Sequence, residues 1–280
     1  MAGARLRPAV TAAPMPALAG RRLLLAYGLA GEAMARLAPI GFDYMGSQLS
    51  WLRASGAVAE VVALPTSAPV EENAALLAGI LRAEPEPFLL VSHSKGGLEG
   101  LAALLHPGAA ARCAGFLAIQ PPFLGSPLAD VILRHRPAHG AARKLARLLG
   151  AGSGAGLVDL TTGARIAWME RHAEAIATLT ASLPVLSIGS EVRRETARGR
   201  DRLYLPLAGW MGRRAGPNDG LVPVSSTRLP GARHWVLQGS HRALVCSGPG
   251  RDPVGMLRRA LEALISPATP SAAIPLPSAS

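Results

Sequence analysis

Phe88-Leu-Leu-Val-Ser-His-Ser-Lys-Gly-Gly97 is the stretch on which the fold turns. Its first four residues are apolar and uncharged, as in a short strand buried on both faces of a parallel sheet. Beyond it Leu98, Leu101, Leu104 and Leu105 recur at helical spacing. A strand passing straight into a helix through Ser92-His93-Ser94-Lys95-Gly96 has the form of a nucleophile elbow. The central residue of that turn is strained, so its neighbours two positions away on each side must be small. Gly96 meets this downstream, and Ser92 stands upstream where glycine is usual. The turn lifts Ser94 Oγ above the sheet edge and aims the Lys95 N–H, at a helix start, toward a developing anion. Ser-x-Ser-x-Gly alone is equally a plain strand-to-helix turn, so partners elsewhere must decide.

Outward from the elbow, strands and helices alternate. Leu23–Tyr27 reads as a strand ending at Gly28-Leu29-Ala30-Gly31, Met45–Leu52 as a helix and Val58–Leu64 as a strand. Pro69 with Glu71 and Glu72 opens a helix whose apolar face is Leu77, Ile80 and Leu81. Cys113–Ile119, Pro184–Gly189 and His234–Gln238 complete the strands, and Asp252-Pro253 starts a closing helix striped by Leu257, Leu261 and Leu264. This alternation predicts an α/β fold with a mostly parallel central sheet flanked by helices. One domain over 21–266 is expected, between a loose segment 1–20 and a loose Pro/Ser/Ala-rich tail 267–280. Within it, 131–182 reads as a helical cap insertion, including an amphipathic stretch Ala141–Leu149 with Leu145, Leu148 and Leu149 on one face.

Composition narrows the function. Of 280 residues, 49% are hydrophobic and 17% charged, which suits a sheet covered on both faces. No apolar run is long enough for a membrane span. The formal net charge is +11, yet of the 29 basic residues only Lys95 and Lys144 are lysine. Abundant Ala, Gly, Pro and Arg together reflect a GC-rich coding background. No basic run is interleaved with aromatics, so no nucleic-acid partner is expected. Cys113 and Cys246 have neither metal spacing nor a disulfide framework and read as free thiols. No cofactor or metal is expected from these patterns. Pro8, Pro14 and Pro16 interrupt the N-terminal apolar stretch, a poor signal peptide, so a cytoplasmic location is expected.

The elbow has its partners downstream. A serine nucleophile needs a base and a carboxylate to orient that base, in the order Ser, Asp or Glu, His, each at a strand's C-terminal end. Ser94, Asp219 and His241 meet this order, with His241 directly after the last strand. His93 lies inside the elbow and cannot serve its own neighbour, and His234 at a strand start reads as structural. Glu191 and Asp201 are reserve candidates for the acid.

Four separated motifs resemble the bacterial triacylglycerol lipase family of the α/β-hydrolase fold, in a shortened form. Tyr27-Gly28-Leu29-Ala30-Gly31 is similar to the family's His-Gly-Leu oxyanion loop, with tyrosine replacing histidine; the resemblance makes Leu29 N–H an oxyanion donor beside Lys95 N–H. Ser92–Gly97 resembles its Gly-His-Ser-x-Gly-Gly elbow. Pro121-Pro-Phe-Leu-Gly-Ser-Pro-Leu-Ala-Asp130 resembles its Pro-His-x-Gly-Ser-x-x-Ala-Asp segment, and Asn218-Asp-Gly-Leu-Val its acid-bearing motif. Leu160-Thr-Thr resembles a further segment ahead of the acid. Members often hold a structural calcium through a carboxylate two residues after the histidine; here that position is Ala243. The resemblance implies a serine hydrolase acting on small-molecule or lipid carboxylic esters. A thioesterase or acyltransferase with the same triad, and a non-catalytic binding protein on this scaffold, are the alternatives.

Overall fold

In the computed structural model, which describes residues 12–28, 43–65, 67–135 and 155–266, six strands make one parallel sheet. In chain order the elements are β1 (Arg22–Ala26), α1 (Gly46–Ala54), β2 (Val58–Val61), α2 (Val70–Ala83) and β3 (Phe88–His93). Then come α3 (Lys95–Leu104), β4 (Cys113–Ile119), α4 (Pro127–His135), α5 (Ala155–Val158), α6 (Thr162–Arg171) and α7 (Ala173–Ser182). The last are β5 (Val185–Glu191), α8 (Leu205–Ala215), β6 (Arg233–Gln238) and α9 (Pro253–Ile265). The sheet order is β2-β1-β3-β4-β5-β6, all neighbours parallel.

Period-two alternation splits each strand between two cores. Leu23, Leu25, Leu89, Val91, Leu117 and Ile119 face α1 and α9, meeting Trp51, Leu52, Leu257 and Leu261. Leu24, Phe88, Leu90 and Phe116 face the other way, onto α2, α3, α6 and α7. A sheet buried on both faces needs such uncharged runs, which is why they were conspicuous in the sequence. The chain leaves β1 toward β2 on one side and returns to β3 on the other. The crevice beyond the C-terminal ends of β1 and β3 is therefore a topological switch point, where open α/β sheets bind ligands.

Several expectations change. Residues 12–20, expected to be loose, are packed: Pro16–Leu18 form a short 3-10 turn and Leu18 is fully buried. Met15 N–H donates to Ser55 Oγ at 3.1 Å and Trp51 Nε1–H to Ala13 C=O at 3.2 Å, which ties the segment to α1. β2 stops at Val61 rather than Leu64, where its paired register with β1 ends at Leu25. The helical stretch after β4 begins at Pro127, ahead of residue 131, because Ser126 caps it by accepting from Leu128 N–H at 3.2 Å. The expected helix 141–149, most of segment 1–20 and the tail 267–280 lie outside the described residues.

Candidate active site

Ser94 sits between β3 and α3 with φ 54 and ψ −125, a conformation that costs a non-glycine residue about 1–3 kcal/mol. The flanking elements enforce it. All ten residues of α3 and all six of β3 are buried, and one fully buried leucine contributes about 1.5–3 kcal/mol, so a few of them outweigh the strain. Two glycines let the chain come close enough. A Cβ on Gly96 would lie 2.6 Å from the carbonyl oxygens of both Ala26 and Tyr27, and one on Gly28 would lie 2.8 Å from Ser94 Cβ. The loop leaving β1 thus presses directly against the elbow. Ser92, standing where glycine is usual, is tolerated because its Oγ donates to Leu117 C=O at 3.3 Å.

The structure brings Ser94, His241 and Asp219 together. His241 Nε2 is 2.9 Å from Ser94 Oγ, and His241 Nδ1 is 2.8 Å from Asp219 Oδ2. Asp219 is fully buried, and its Oδ1 accepts from Leu221 N–H and Val222 N–H at 2.9 and 2.8 Å. The ionised carboxylate acts as acceptor only, so Nδ1 carries the proton and Nε2 presents its lone pair to the serine. His241 N–H also donates to Asp219 C=O at 3.0 Å. One departure from expectation is the position of the acid. Asp219 does not end a strand; it follows α8, in a loop that Val192 N–H, just past β5, holds through Asn218 C=O at 2.9 Å.

The reserve acids have other work. Glu191 pairs with Arg193 at 2.5 Å and accepts from Gln238 Nε2 at 2.8 Å. Asp201 is buried, pairs with Arg251 at 2.5 Å, and accepts from Ser240 Oγ at 2.5 Å, which fixes the residue before His241. His234 Nε2 meets Thr227 Oγ1 at 2.9 Å, as a structural histidine would. A calcium site does not fit this loop: Ala243 offers no side-chain oxygen, the carboxylate beside it already has the Arg251 guanidinium, and among the described residues no three His, Cys, Asp or Glu cluster to hold a metal.

Sequence reasoning missed a buried polar chain behind the triad. Gly28 N–H donates to Tyr44 Oη at 3.0 Å, and Tyr44 Oη lies 2.7 Å from His93 Nδ1. His93 Nε2 faces two acceptors, His241 C=O at 3.1 Å and Gln120 Oε1 at 3.3 Å. Nε2 must therefore bear the hydrogen and Nδ1 accept from tyrosine. Burial, with the neighbouring His241 and Arg242 adding to it, holds the His93 pKa well below the ordinary imidazole value, so the ring is neutral. Gln120, itself at φ 52, turns its Nε2 toward Ser190 Oγ, Ser240 C=O and Asp219 Oδ2 at 2.5, 3.0 and 3.2 Å. The only sequence cue to Gln120 was its place at the end of a buried strand.

Other motif segments also meet. Asp130 accepts from Thr162 N–H at 2.9 Å and from Thr162 Oγ1, joining the Pro121–Asp130 stretch to Leu160-Thr-Thr. Ser126 Oγ donates to Leu221 C=O at 2.5 Å, beside the acid. Lys95 buries its side chain against Glu99 within α3, leaving its backbone N–H at the helix start. Leu29, the other proposed oxyanion donor, lies outside the described residues. Both thiols are free and their pKa values are raised by burial, to about 12 for Cys113 and about 11 for Cys246.

No protein-family model matches the chain, and no curated protein matches it. Solved structures do resemble it. The mature lipase BlEst2 of Bacillus licheniformis superposes with a TM-score of 0.64 at 23% identity, over 82% of this chain and 87% of that one. The metagenomic carboxyl esterase MGS0156 gives 0.69 at 21%, over 94% and 79%. Lipase 1 from Pelosinus fermentans gives 0.59 at 14%, over 90% and 100%.

Proposed function

We propose, from the α/β-hydrolase fold that this chain shares with those lipases and esterases, that it is a serine hydrolase cleaving carboxylic esters through an acyl-enzyme on Ser94. The observation that carries the reading is the continuous hydrogen-bond line from Ser94 Oγ through both His241 nitrogens to Asp219 at a strained elbow. In the first step Ser94 Oγ attacks the ester carbon and its proton moves to His241 Nε2. The carbonyl π pair becomes the oxyanion, faced by the Lys95 N–H and, on the resemblance, the Leu29 N–H. Asp219 holds the imidazolium in place without taking its proton. Collapse of the intermediate breaks the bond to the alkoxide oxygen, and the proton on Nε2 leaves with the alcohol. Water then repeats the sequence with His241 as base, releasing the carboxylic acid and restoring Ser94.

Labelling with a fluorophosphonate and turnover of p-nitrophenyl esters of graded acyl length test this together. The native chain should be labelled and active, and Ser94→Ala should lose both while keeping its circular dichroism spectrum. Labelling that persists at another serine, Ser92 being the first to inspect, would reject the assignment.

A further inference from the structure

The cavity over Ser94, about 70 Å3, joins two kinds of surface. Leu128, Leu157, Leu160 and Val222 give it an apolar wall, while Arg242 is the one permanently charged side chain among its described lining residues. Arg242 follows His241 directly, and its carbonyl accepts from Val245 N–H and Cys246 N–H at 3.2 and 2.9 Å, so its backbone is fixed together with the base. The side chain is half-buried. Among the described residues no carboxylate lies within 4 Å of its guanidinium, whereas Arg251, farther along the same loop, is paired with Asp201. Arg242 is thus a cation partly withdrawn from water with no counter-charge among the described residues, and its guanidinium is left to pair with an anion that a ligand brings. Its field reaches inward: it lowers the pKa of His93 and opposes the rises that burial imposes on Tyr44, Tyr204 and Cys246. The chain's net charge of +11 also attracts anions at long range.

Resting on the ester-hydrolase reading, we propose that the natural substrate is an ester carrying a second, anionic group, a carboxylate or a phosphate, which Arg242 binds while the apolar wall holds the hydrocarbon part. A planar guanidinium offers paired N–H donors that match either anion. The charge then fixes which way the ester enters, because only one end of the substrate has a partner beside His241.

Two matched pairs of esters test this on the full chain. One pair is p-nitrophenyl hexanoate and the mono-p-nitrophenyl ester of adipate; the other is monobutyrylglycerol and its phosphate monoester. In at least one pair kcat/KM should favour the anionic member by about tenfold or more, mainly through KM, as a charge-assisted hydrogen bond predicts. The first pair reports an acyl-side carboxylate, and the second a phosphate on the alcohol side. Arg242→Gln should bring that ratio close to one and Arg242→Lys should keep most of it. A ratio taken within one protein cancels any loss of folded or active enzyme. Ratios near one in both native pairs, or an unchanged ratio in Arg242→Gln, overturn the proposal. If Ser94 still reacts with a fluorophosphonate in that case, only the assignment to Arg242 falls. If no ester turns over and Ser94 is not labelled, the ester-hydrolase reading falls and takes this one with it.

Discussion

Asp219 and Glu191 show how differently two carboxylates of one site region are employed. Asp219 has both oxygens engaged by N–H donors and none in water; Glu191 shares a rim with Arg193 and Gln238, where an ion pair contributes little. Replacing Asp219 by Asn presents an amide to His241 Nδ1 and drives the ring toward the tautomer that cannot accept from Ser94. We expect Asp219→Asn to lower kcat by about three to four orders of magnitude, on the precedent of the serine protease triad. Glu191→Gln should stay near the native rate. Turnover of a p-nitrophenyl ester, with circular dichroism to confirm folding, checks both, and the opposite result would transfer the acid's role to Glu191. Ser94, Asp219 and His241 were legible because the chemistry demands particular residue types in a particular order. Gln120 and Tyr44 were not. Each supports the triad through neighbours 99 and 49 positions away, Asp219 and His93, that only folding brings close.

The elbow helix α3 carries a buried ion pair one turn from the nucleophile. Lys95 and Glu99 are each 1% exposed, and Glu99 also accepts from Asn73 Nδ2 at 2.6 Å. Burial raises the Glu99 pKa while the Lys95 charge opposes that rise. Removing one partner strands the other in the core, so Glu99→Leu should cost about 3–5 kcal/mol, while Lys95→Met with Glu99→Leu should recover most of it. Urea unfolding of the two singles and the double measures this; equal losses in single and double would mean that the pair is not a unit. The strands were readable because β3, β4 and β5 as far as Ser190 are runs without a charged side chain. The pair was not, since lysine at position 95 reads equally well as an exposed residue on a helix's first turn. Leu18 misled for a related reason: prolines at 14 and 16 mark loose chain in a sequence, but here they turn it onto α1.

For the molecule as a whole, histidines set the acid limit. Burial holds His93 well below the ordinary range, and burial together with Arg228 brings His234 down to about 4. Both folded values lie under the unfolded value near 6.5, so as pH falls the unfolded chain takes up protons first. Stability should therefore be full above about pH 6.5 and decline below it, by about 1.4 kcal/mol per pH unit from His93 alone. Thermal midpoints should be flat above that pH and fall beneath it, and a flat profile throughout would mean that His93 protonates in the folded chain. A chelator should leave both activity and melting temperature unchanged, because Ala243 brings no side-chain oxygen to the histidine loop and the Asp201 carboxylate packed against that loop is already paired with Arg251. A loss restored by calcium would show ligands elsewhere. The hydrogens from Gly28 to the His241 carbonyl all point one way, and that has a practical corollary for protein engineers. The glycine loop and the histidine loop are not interchangeable modules. Grafting either from another enzyme without Tyr44 and His93 would set donor against donor somewhere along the line, so the four residues have to be transplanted as one cassette.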